Sequence, residues 1–202
     1  MTEVVLIDAG GANLGSVRYA LERLGARVRV SAVAAEIAAA ERVILPGVGA
    51  AATGMARLRE LGLVDLVRSL QQPLLGVCLG MQLLYDSSEE GDVECLGLLP
   101  GRVRKLVPAE ADAVRVPHMG WNRLRHRSAD RLLAGIDDGA QVYFVHSYAA
   151  PVTADAIASC HHGADFAAVV RRGNRYGAQF HPERSATVGS CLLENFLSES
   201  LG

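Results

Sequence analysis

Residues 73–82 read PLLGVCLGMQ, an apolar run that leads into Cys78, which has a glycine two positions away on each side. A strand that feeds a helix through so tight a turn forces its middle residue into strained backbone angles, and Gly76 and Gly80 leave the room that side chains would fill. Residues 81–85 are apolar enough to begin a helix, whose N-terminal dipole would favour a thiolate on Cys78. The stretch predicts a nucleophile elbow; the alternative is a cysteine buried in the core.

A candidate base and a candidate orienting acid stand together near the C-terminus. His181 and Glu183 follow a strand-like run at 176–180, so they are expected at a strand end, where the active-site residues of α/β proteins collect. A histidine can take the proton of a thiol and later deliver it to a leaving group, while a carboxylate behind the ring fixes its tautomer. Each residue alone is more often structural, but together with Cys78 they predict a catalytic triad.

A glycine-rich loop, Pro46-Gly47-Val48-Gly49, follows the apolar run at 43–45. Elbow hydrolases form their oxyanion hole from the amide after the nucleophile and an amide of a loop after another strand. This predicts the amides of Leu79 and Val48 as oxyanion donors. The alternative is an ordinary tight turn, and a phosphate loop is disfavoured because no Lys-Ser or Lys-Thr pair follows.

Short β-rich runs alternate with helical runs in the first half of the chain. Strands are predicted at 4–7, 28–30, 43–45 and 74–77, and helices at 14–24 and 34–40. Such alternation gives parallel strands joined by crossover helices. The second half offers short strands at 121–124, 141–145, 156–160, 167–170 and 176–180, and a last helix at 188–197. These strands could extend the sheet or form an antiparallel layer beside it. We expect an α/β fold in which residues 1–202 form one domain.

Composition disfavours several function classes. The 20 basic and 22 acidic residues give a net charge of -2, which offers no field for nucleic acid or an acidic membrane. The four cysteines show no C-x-x-C spacing, which indicates a reducing compartment. The N-terminus does not resemble a signal peptide, and no apolar stretch is long enough to predict a membrane helix. We therefore expect a cytoplasmic protein without a cofactor. We also expect no metal, because the adjacent His161 and His162 would point to opposite faces of a strand.

Three of these segments resemble the signatures of class I glutamine amidotransferases, which cut the side-chain amide of glutamine through a cysteinyl thioester. They are residues 46–49, 76–82 and 179–183. The resemblance implies a flavodoxin-like, three-layer α/β fold with a mostly parallel central sheet. It also implies that Cys78 attacks the carboxamide, that His181 shuttles the proton and that Glu183 orients His181. The residues that would hold the substrate L-glutamine are Gly47, Gly49, Gln82, His146, Ser147 and Tyr148.

Two further segments, PHMGWN at 117–122 and YFVHSY at 143–148, resemble segments typical of the glutaminase subunits of imidazole glycerol phosphate synthases. That resemblance implies a heterodimer with a separate cyclase subunit, which uses the ammonia to form imidazole glycerol phosphate and an aminoimidazole carboxamide ribotide in histidine biosynthesis. The residues that would face the cyclase are Asn13, His118, Met119, Trp121 and Asn122. Ala9 and Ala12 depart from the usual pattern of the first loop, which has an aromatic residue and a glycine there.

Other interpretations of the sequence remain open. One is a stand-alone class I glutaminase of another pathway, such as pyridoxal phosphate synthesis, which would not be expected to carry the segment at 118–122. A second is a catalytically silent regulatory module, which the intact Cys78, His181 and Glu183 disfavour. A third is a cysteine peptidase or esterase on a related fold, which turnover of peptides or esters would reveal.

Overall fold

Strands and helices alternate through the first half of the chain, as the sequence predicts. The computed structural model describes residues 2–10, 13–107 and 114–198; Ala12 therefore lies outside the described residues. In chain order the first elements are β1 (Glu3–Ile7), α1 (Leu14–Arg23), β2 (Arg27–Ser31), α2 (Ala34–Ala39), β3 (Arg42–Gly47), α3 (Ala51–Glu60), α4 (Val64–Ser69), β4 (Leu74–Cys78) and α5 (Leu79–Gln82).

The second half is dominated by short strands. In chain order they are β5 (Tyr85–Ser88), β6 (Val93–Glu94), β7 (Leu99–Lys105), β8 (His118–Arg123), β9 (Arg125–His126), β10 (Gln141–His146), β11 (Tyr148–Ala149), β12 (Ala156–His161), β13 (Asp165–Arg172) and β14 (Arg175–Ala178). One-turn 3₁₀ helices lie at Arg131–Leu133 and Pro182–Arg184, and α6 (Ala186–Leu197) follows the second of them.

The central sheet has eight strands in the order β2-β1-β3-β4-β14-β13-β12-β9. The first five strands in that order run parallel, and β13, β12 and β9 continue the sheet in antiparallel pairs. Two small sheets lie outside it, a β10-β8 pair and a four-stranded sheet in the order β11-β7-β5-β6. Both arrangements that the sequence allowed for the second half therefore occur, since some strands extend the central sheet and others form separate layers.

Apolar side chains cover the central sheet on both faces. Along β1, Val4 and Leu6 join one hydrophobic cluster while Val5 and Ile7 join another, because successive side chains point to opposite faces. The first cluster contains the buried residues of α1 and α6, and the second contains those of α2, α3 and α4. The expected three-layer fold with a mostly parallel central sheet is confirmed.

The order of the strands places the functional loops at one edge. The neighbours β3, β4 and β14 run parallel, so their carboxyl ends lie side by side. In this ladder Gly47 is directly opposite Cys78. The glycine-rich loop, the elbow and the segment that follows β14 therefore start from the same edge of the sheet, as expected for an open α/β sheet.

Several elements differ from the prediction in extent or were not predicted. The helix after Cys78 is a single turn, α5, and Tyr85 already belongs to strand β5. A run such as MQLLY suits a buried strand as well as a helix, so its periodicity could not decide between them. Helices α3 and α4 were not predicted, although Ala51, Met55 and Leu58 are buried at helical spacing. The last strand ends at Ala178, two residues earlier than predicted.

Candidate active site

Cys78 lies at the apex of a strained turn between β4 and α5. Its backbone has φ 53° and ψ -112°, a left-handed conformation that residues with a side chain rarely adopt. A Cβ added to Gly76 would lie 2.6 Å from the carbonyl oxygen of Gly80, and one added to Gly80 would lie 1.7 Å from that of Leu45. The two glycines are thus required by close backbone contacts, and the predicted steric basis of the elbow is confirmed.

The shortness of α5 limits its electrostatic effect on the thiol. A macrodipole builds up as peptide dipoles align over several turns, and α5 has only four residues. The dipole of α5 is therefore weaker than that of the longer helix that the sequence predicts after Cys78. The sulfur of Cys78 is instead contacted by His181 and Gln179, two side chains that follow the neighbouring strand β14.

His181 and Glu183 meet Cys78 because their segment follows the neighbouring strand β14. Nδ1 of His181 lies 2.8 Å from Oε1 of Glu183, and the two side chains are only 8% and 1% exposed. The same Oε1 accepts a hydrogen bond of 2.5 Å from Nδ2 of Asn13. Oε2 of Glu183 has no hydrogen-bond partner among the described residues. The acid is therefore held through one oxygen by two donors, one of which comes from the start of α1.

The imidazole of His181 binds its proton more tightly than a free histidine does. Burial lowers its pKa, but hydrogen bonds with Cys78 and Glu183 and the negative charge of both groups raise it, and the net result is a pKa of about 10. His181 therefore carries a proton at neutral pH. A protonated imidazole can donate a proton to a neighbouring group.

An open cleft of about 480 Å³ borders the thiol. Of the residues predicted to form the site, it is lined by Cys78, His181, Val48, Leu79, Gly49, Gln82, His146, Ser147 and Tyr148. Gly47, which is opposite Cys78 in the β3–β4 ladder, is not among the lining residues. Glu90 also lines the cleft, and its Oε2 accepts a 2.9 Å hydrogen bond from the amide of Ala51 at the start of α3. Glu90 was not predicted, because it has no motif around it.

A directional chain of hydrogen bonds runs behind the cleft from β8. The carbonyl of Tyr148 can only accept, so Nδ1 of His146 donates to it at 2.9 Å. Nε2 of His146 then accepts from Nδ1 of His118 at 3.0 Å, and Nε2 of His118 accepts from Nδ2 of Asn122 at 3.2 Å. Burial and the neighbouring imidazoles lower the pKa of His118 to about 3, and burial lowers that of His146 to about 4. Both rings are therefore neutral, as this pattern of donors requires.

The residues expected to face a partner divide into exposed and buried ones. Met119 and Trp121 project from β8 with 64% and 52% of their surface exposed, whereas His118 is buried. Asn122 is partly buried and also donates to the carbonyl of His161. Asn13 is partly buried at the triad. No local pattern signals the contact between Asn13 and Glu183, since the two residues are 170 positions apart.

The histidines outside the cleft do not form a metal site. Nowhere in residues 2–10, 13–107 and 114–198 do three or more His, Cys, Asp or Glu side chains gather closely enough to hold a metal ion. His161 instead contacts Asp165, and His162 contacts the carbonyl of Arg115. Within the same residues, none of the helices has the length and apolar character needed to cross a membrane.

Known proteins resemble this chain over nearly its full length. The family model for class-I glutamine amidotransferases matches residues 5–200. The imidazole glycerol phosphate synthase subunit HisH of Xanthomonas euvesicatoria pv. vesicatoria (strain 85-10) is 64% identical over 200 residues, with 99% of each chain covered. The HisH subunit of Xylella fastidiosa (strain Temecula1) is 62% identical over 197 residues, with 98% of each chain covered.

Solved structures agree at the level of the fold. A crystal structure of a glutamine amidotransferase superposes with a TM-score of 0.72 at 22% identity and covers 96% of each chain. PurLQS from Thermotoga maritima gives a TM-score of 0.71 at 17% identity and covers 98% of each chain. The family-model match and the 64% identity show that the chain belongs to the class-I glutamine amidotransferase family, in the group formed by the HisH subunits of imidazole glycerol phosphate synthase.

Proposed function

We propose that the chain is the glutaminase subunit of an imidazole glycerol phosphate synthase, which hydrolyses L-glutamine to glutamate and ammonia for histidine biosynthesis. The observation that carries this proposal is the meeting of Cys78 with the His181–Glu183 pair at the edge of a cleft of about 480 Å³. A cleft of this size suits a substrate as small as an amino acid. The 64% identity to a HisH subunit supports the same assignment.

The chemistry begins with attack of the Cys78 sulfur on the carboxamide carbon of glutamine. The negative charge that develops on the carboxamide oxygen is stabilised by the amides of Leu79 and Val48. Leu79 is the first residue of α5, where a helix leaves its amides without an intrahelical acceptor. Val48 also lines the cleft and lies in the loop that follows β3.

Collapse of this intermediate breaks the C–N bond and leaves a thioester. His181 delivers its proton to the departing nitrogen, so that ammonia leaves, and then accepts a proton from the water that attacks the thioester. Glutamate departs when the C–S bond breaks. Glu183 keeps Nδ1 of His181 protonated through the 2.8 Å hydrogen bond, which leaves Nε2 free for these transfers.

The cleft offers complementary groups to both ends of the amino acid. Glu90 is the one carboxylate among the described residues that line it, and its position at the start of α3 suits the substrate's α-ammonium group. The backbone at Ser147 and Tyr148 and the amide of Gly49 line the remaining wall and bind the α-carboxylate. Gln82 holds that wall in place, because its Nε2 donates to the Tyr148 carbonyl at 2.8 Å.

Ammonia passes to a separate cyclase subunit, which binds in a heterodimer over β8. Met119 and Trp121 supply exposed apolar surface of the kind that becomes buried at protein interfaces. Asn122, which is partly buried on β8, connects this surface to the buried His118 and the histidine chain, and Asn13 contacts Glu183. We place the complex in the cytoplasm as one amidotransferase domain over residues 1–202, without nucleic-acid, membrane, metal or cofactor partners.

A glutamine-mimicking electrophile tests the site. The reagent should attach to the peptide that contains Cys78 and abolish glutaminase activity, whereas the Cys78→Ala chain should neither take up label nor turn over glutamine. Cys191→Ala is the matched control, because Cys191 is the most exposed of the other cysteines, and it should label and turn over like the parent chain. Label that persists in Cys78→Ala would refute the assignment.

The partner is tested separately by adding the purified cyclase subunit and its ribotide ligand. Glutamate release should rise strongly and should be accompanied by imidazole glycerol phosphate. Replacing Trp121 by alanine should weaken the complex while leaving the fold intact, since Trp121 is half exposed. A chain that shows its full rate without the cyclase, or that supports no cyclase product, would contradict the heterodimer.

A further inference from the structure

Gln179 is a wholly buried polar side chain that reaches the nucleophile. It follows β14, is 0% exposed, and its Nε2 lies 3.8 Å from the sulfur of Cys78. Its backbone amide is fixed by a 2.9 Å hydrogen bond to the carbonyl of Ala168 on β13. Gln179 is not among the residues that line the cleft, so it contacts the reacting sulfur from the protein side.

Gln82 determines which end of the Gln179 amide faces the sulfur. Nε2 of Gln82 donates to the carbonyl of Tyr148 at 2.8 Å and to Oε1 of Gln179 at 3.0 Å, so both of its hydrogens are used. A reversed Gln179 amide would set one NH₂ group against another and turn its oxygen toward the sulfur. The chain of donors from Gln82 therefore directs the Gln179 NH₂ group at Cys78.

The thiol and the thiolate of Cys78 have different hydrogen-bond partners. The thiol can donate to the carbonyl of Val145, 3.9 Å away. The thiolate can only accept, and its donors are His181 and the amide of Gln179. The other titratable groups nearby are Glu183 behind His181, Glu90 across the cleft and His146 on β10, which is neutral at pH 7.

We infer that Gln179 is a positioning residue for the nucleophile, whose buried NH₂ group donates to the Cys78 sulfur, fixes its orientation and favours the thiolate. This inference rests on the proposed function only in that Cys78 is the nucleophile. It assigns a role to a side chain that does not line the cleft. Gln82 then has a second role in addition to lining the cleft, because it sets the orientation of the Gln179 amide.

The test is the pH dependence of alkylation of Cys78 by iodoacetamide, followed on its peptide by mass spectrometry. Burial raises the pKa of Cys95 to about 11 and that of Cys160 to about 12, so these thiols stay protonated over the range of interest. Loss of one hydrogen bond to a charged acceptor in Gln179→Leu should move the midpoint up by about one pH unit. Labelling at a pH below both midpoints should then fall about tenfold. Gln141→Leu, at an exposed position on β10, is the matched control and should leave the profile unchanged.

Steady-state kinetics and a second variant separate this role from simple packing. Gln179→Leu should lower kcat and leave KM unchanged, because Gln179 does not line the cleft. Gln179→Glu keeps the shape of the side chain and replaces the donor by a carboxylate, so it should move the midpoint further upward. A thermal melt shows which of the two variants folds. If the pH midpoint of Cys78 alkylation is unchanged in a folded variant, the inference is overturned. Failure of the proposed function would give a different result, because glutaminase activity would then survive in Cys78→Ala.

Discussion

Replacing Glu183 by glutamine tests how the carboxylate acts on His181. The amide keeps the size of the side chain and can still accept through oxygen the hydrogen bond that now measures 2.8 Å. A hydrogen bond to a charged acceptor contributes about 1.5–3 kcal/mol and one between neutral groups about 0.5–1.5 kcal/mol, so the imidazolium loses about 1 kcal/mol or slightly more. At 1.36 kcal/mol per unit, the pKa of His181 should fall from about 10 to about 9.

Asn13 decides how large the loss of turnover becomes. Nδ2 of Asn13 donates to Oε1 of Glu183 at 2.5 Å, and His181 donates to the same oxygen. In Glu183→Gln the amide oxygen is therefore favoured at this position, because the NH₂ group would face two donors there. The correct tautomer of His181 is then kept, and kcat should fall only about tenfold to a hundredfold. In the double variant with Asn13→Leu the amide is free to rotate, and the loss should approach the roughly 10⁴-fold seen when a triad histidine adopts the wrong tautomer.

The assay is glutamate release as a function of pH, in the presence of the cyclase subunit. Glu41→Gln is the matched control, because Glu41 is exposed on the surface, and it should change neither kcat nor the pH profile. The new amide also buries an NH₂ group where Oε2 has no partner among the described residues, which should lower the unfolding free energy by about 1–3 kcal/mol. Unchanged kcat and an unmoved pH profile in Glu183→Gln would show that Glu183 does not act on His181.

Three further outcomes are expected. Gly80→Ala should lower the unfolding free energy in urea by about 3 kcal/mol or more, because the new methyl group overlaps the backbone of β3; an unchanged urea midpoint would refute the elbow geometry. Asn13→Leu alone should lower kcat with little change in KM, since Asn13 contacts Glu183 and not the cleft; an effect confined to KM would contradict this. The unfolding free energy should fall as the pH drops below 6.5, by up to about 2.7 kcal/mol per pH unit for the two histidines together. The reason is that His118 and His146 become protonated in the unfolded chain, whereas the fold lowers their pKa to about 3 and 4. A stability curve that is flat between pH 6.5 and 4.5 would contradict this.

The parts of the site that local sterics determine were predictable from the sequence. A cysteine between two glycines after an apolar run suits a tight strand-to-helix turn better than a regular strand, and the contacts of Gly76 and Gly80 show why. The meeting of Cys78 with His181 and Glu183 was expected from residue types at strand ends, because parallel strands bring their carboxyl ends together. The alternation of short strands and helices likewise predicted the parallel half of the sheet.

Contacts between distant segments were not predictable in this way. The hydrogen bond from Asn13 to Glu183 joins residues 170 positions apart, and that from Gln179 to Cys78 joins residues 101 positions apart. No local pattern encodes such pairs, since they depend on the order of strands in the sheet. Glu90 lies on a loop outside any motif and reaches the cleft only because β5 and β6 form a small sheet beside α3.

The position of β14 in the sheet has a consequence for the newly synthesised chain. Among the described residues β14 is the last strand in chain order, yet it inserts between β4 and β13, and the segment with His181 follows it. Until it is made, β4 has an open edge and Cys78 has no base. A chain that stops before β14 is therefore expected to hold the Cys78 thiol without the His181–Glu183 pair, so the site is completed late in synthesis.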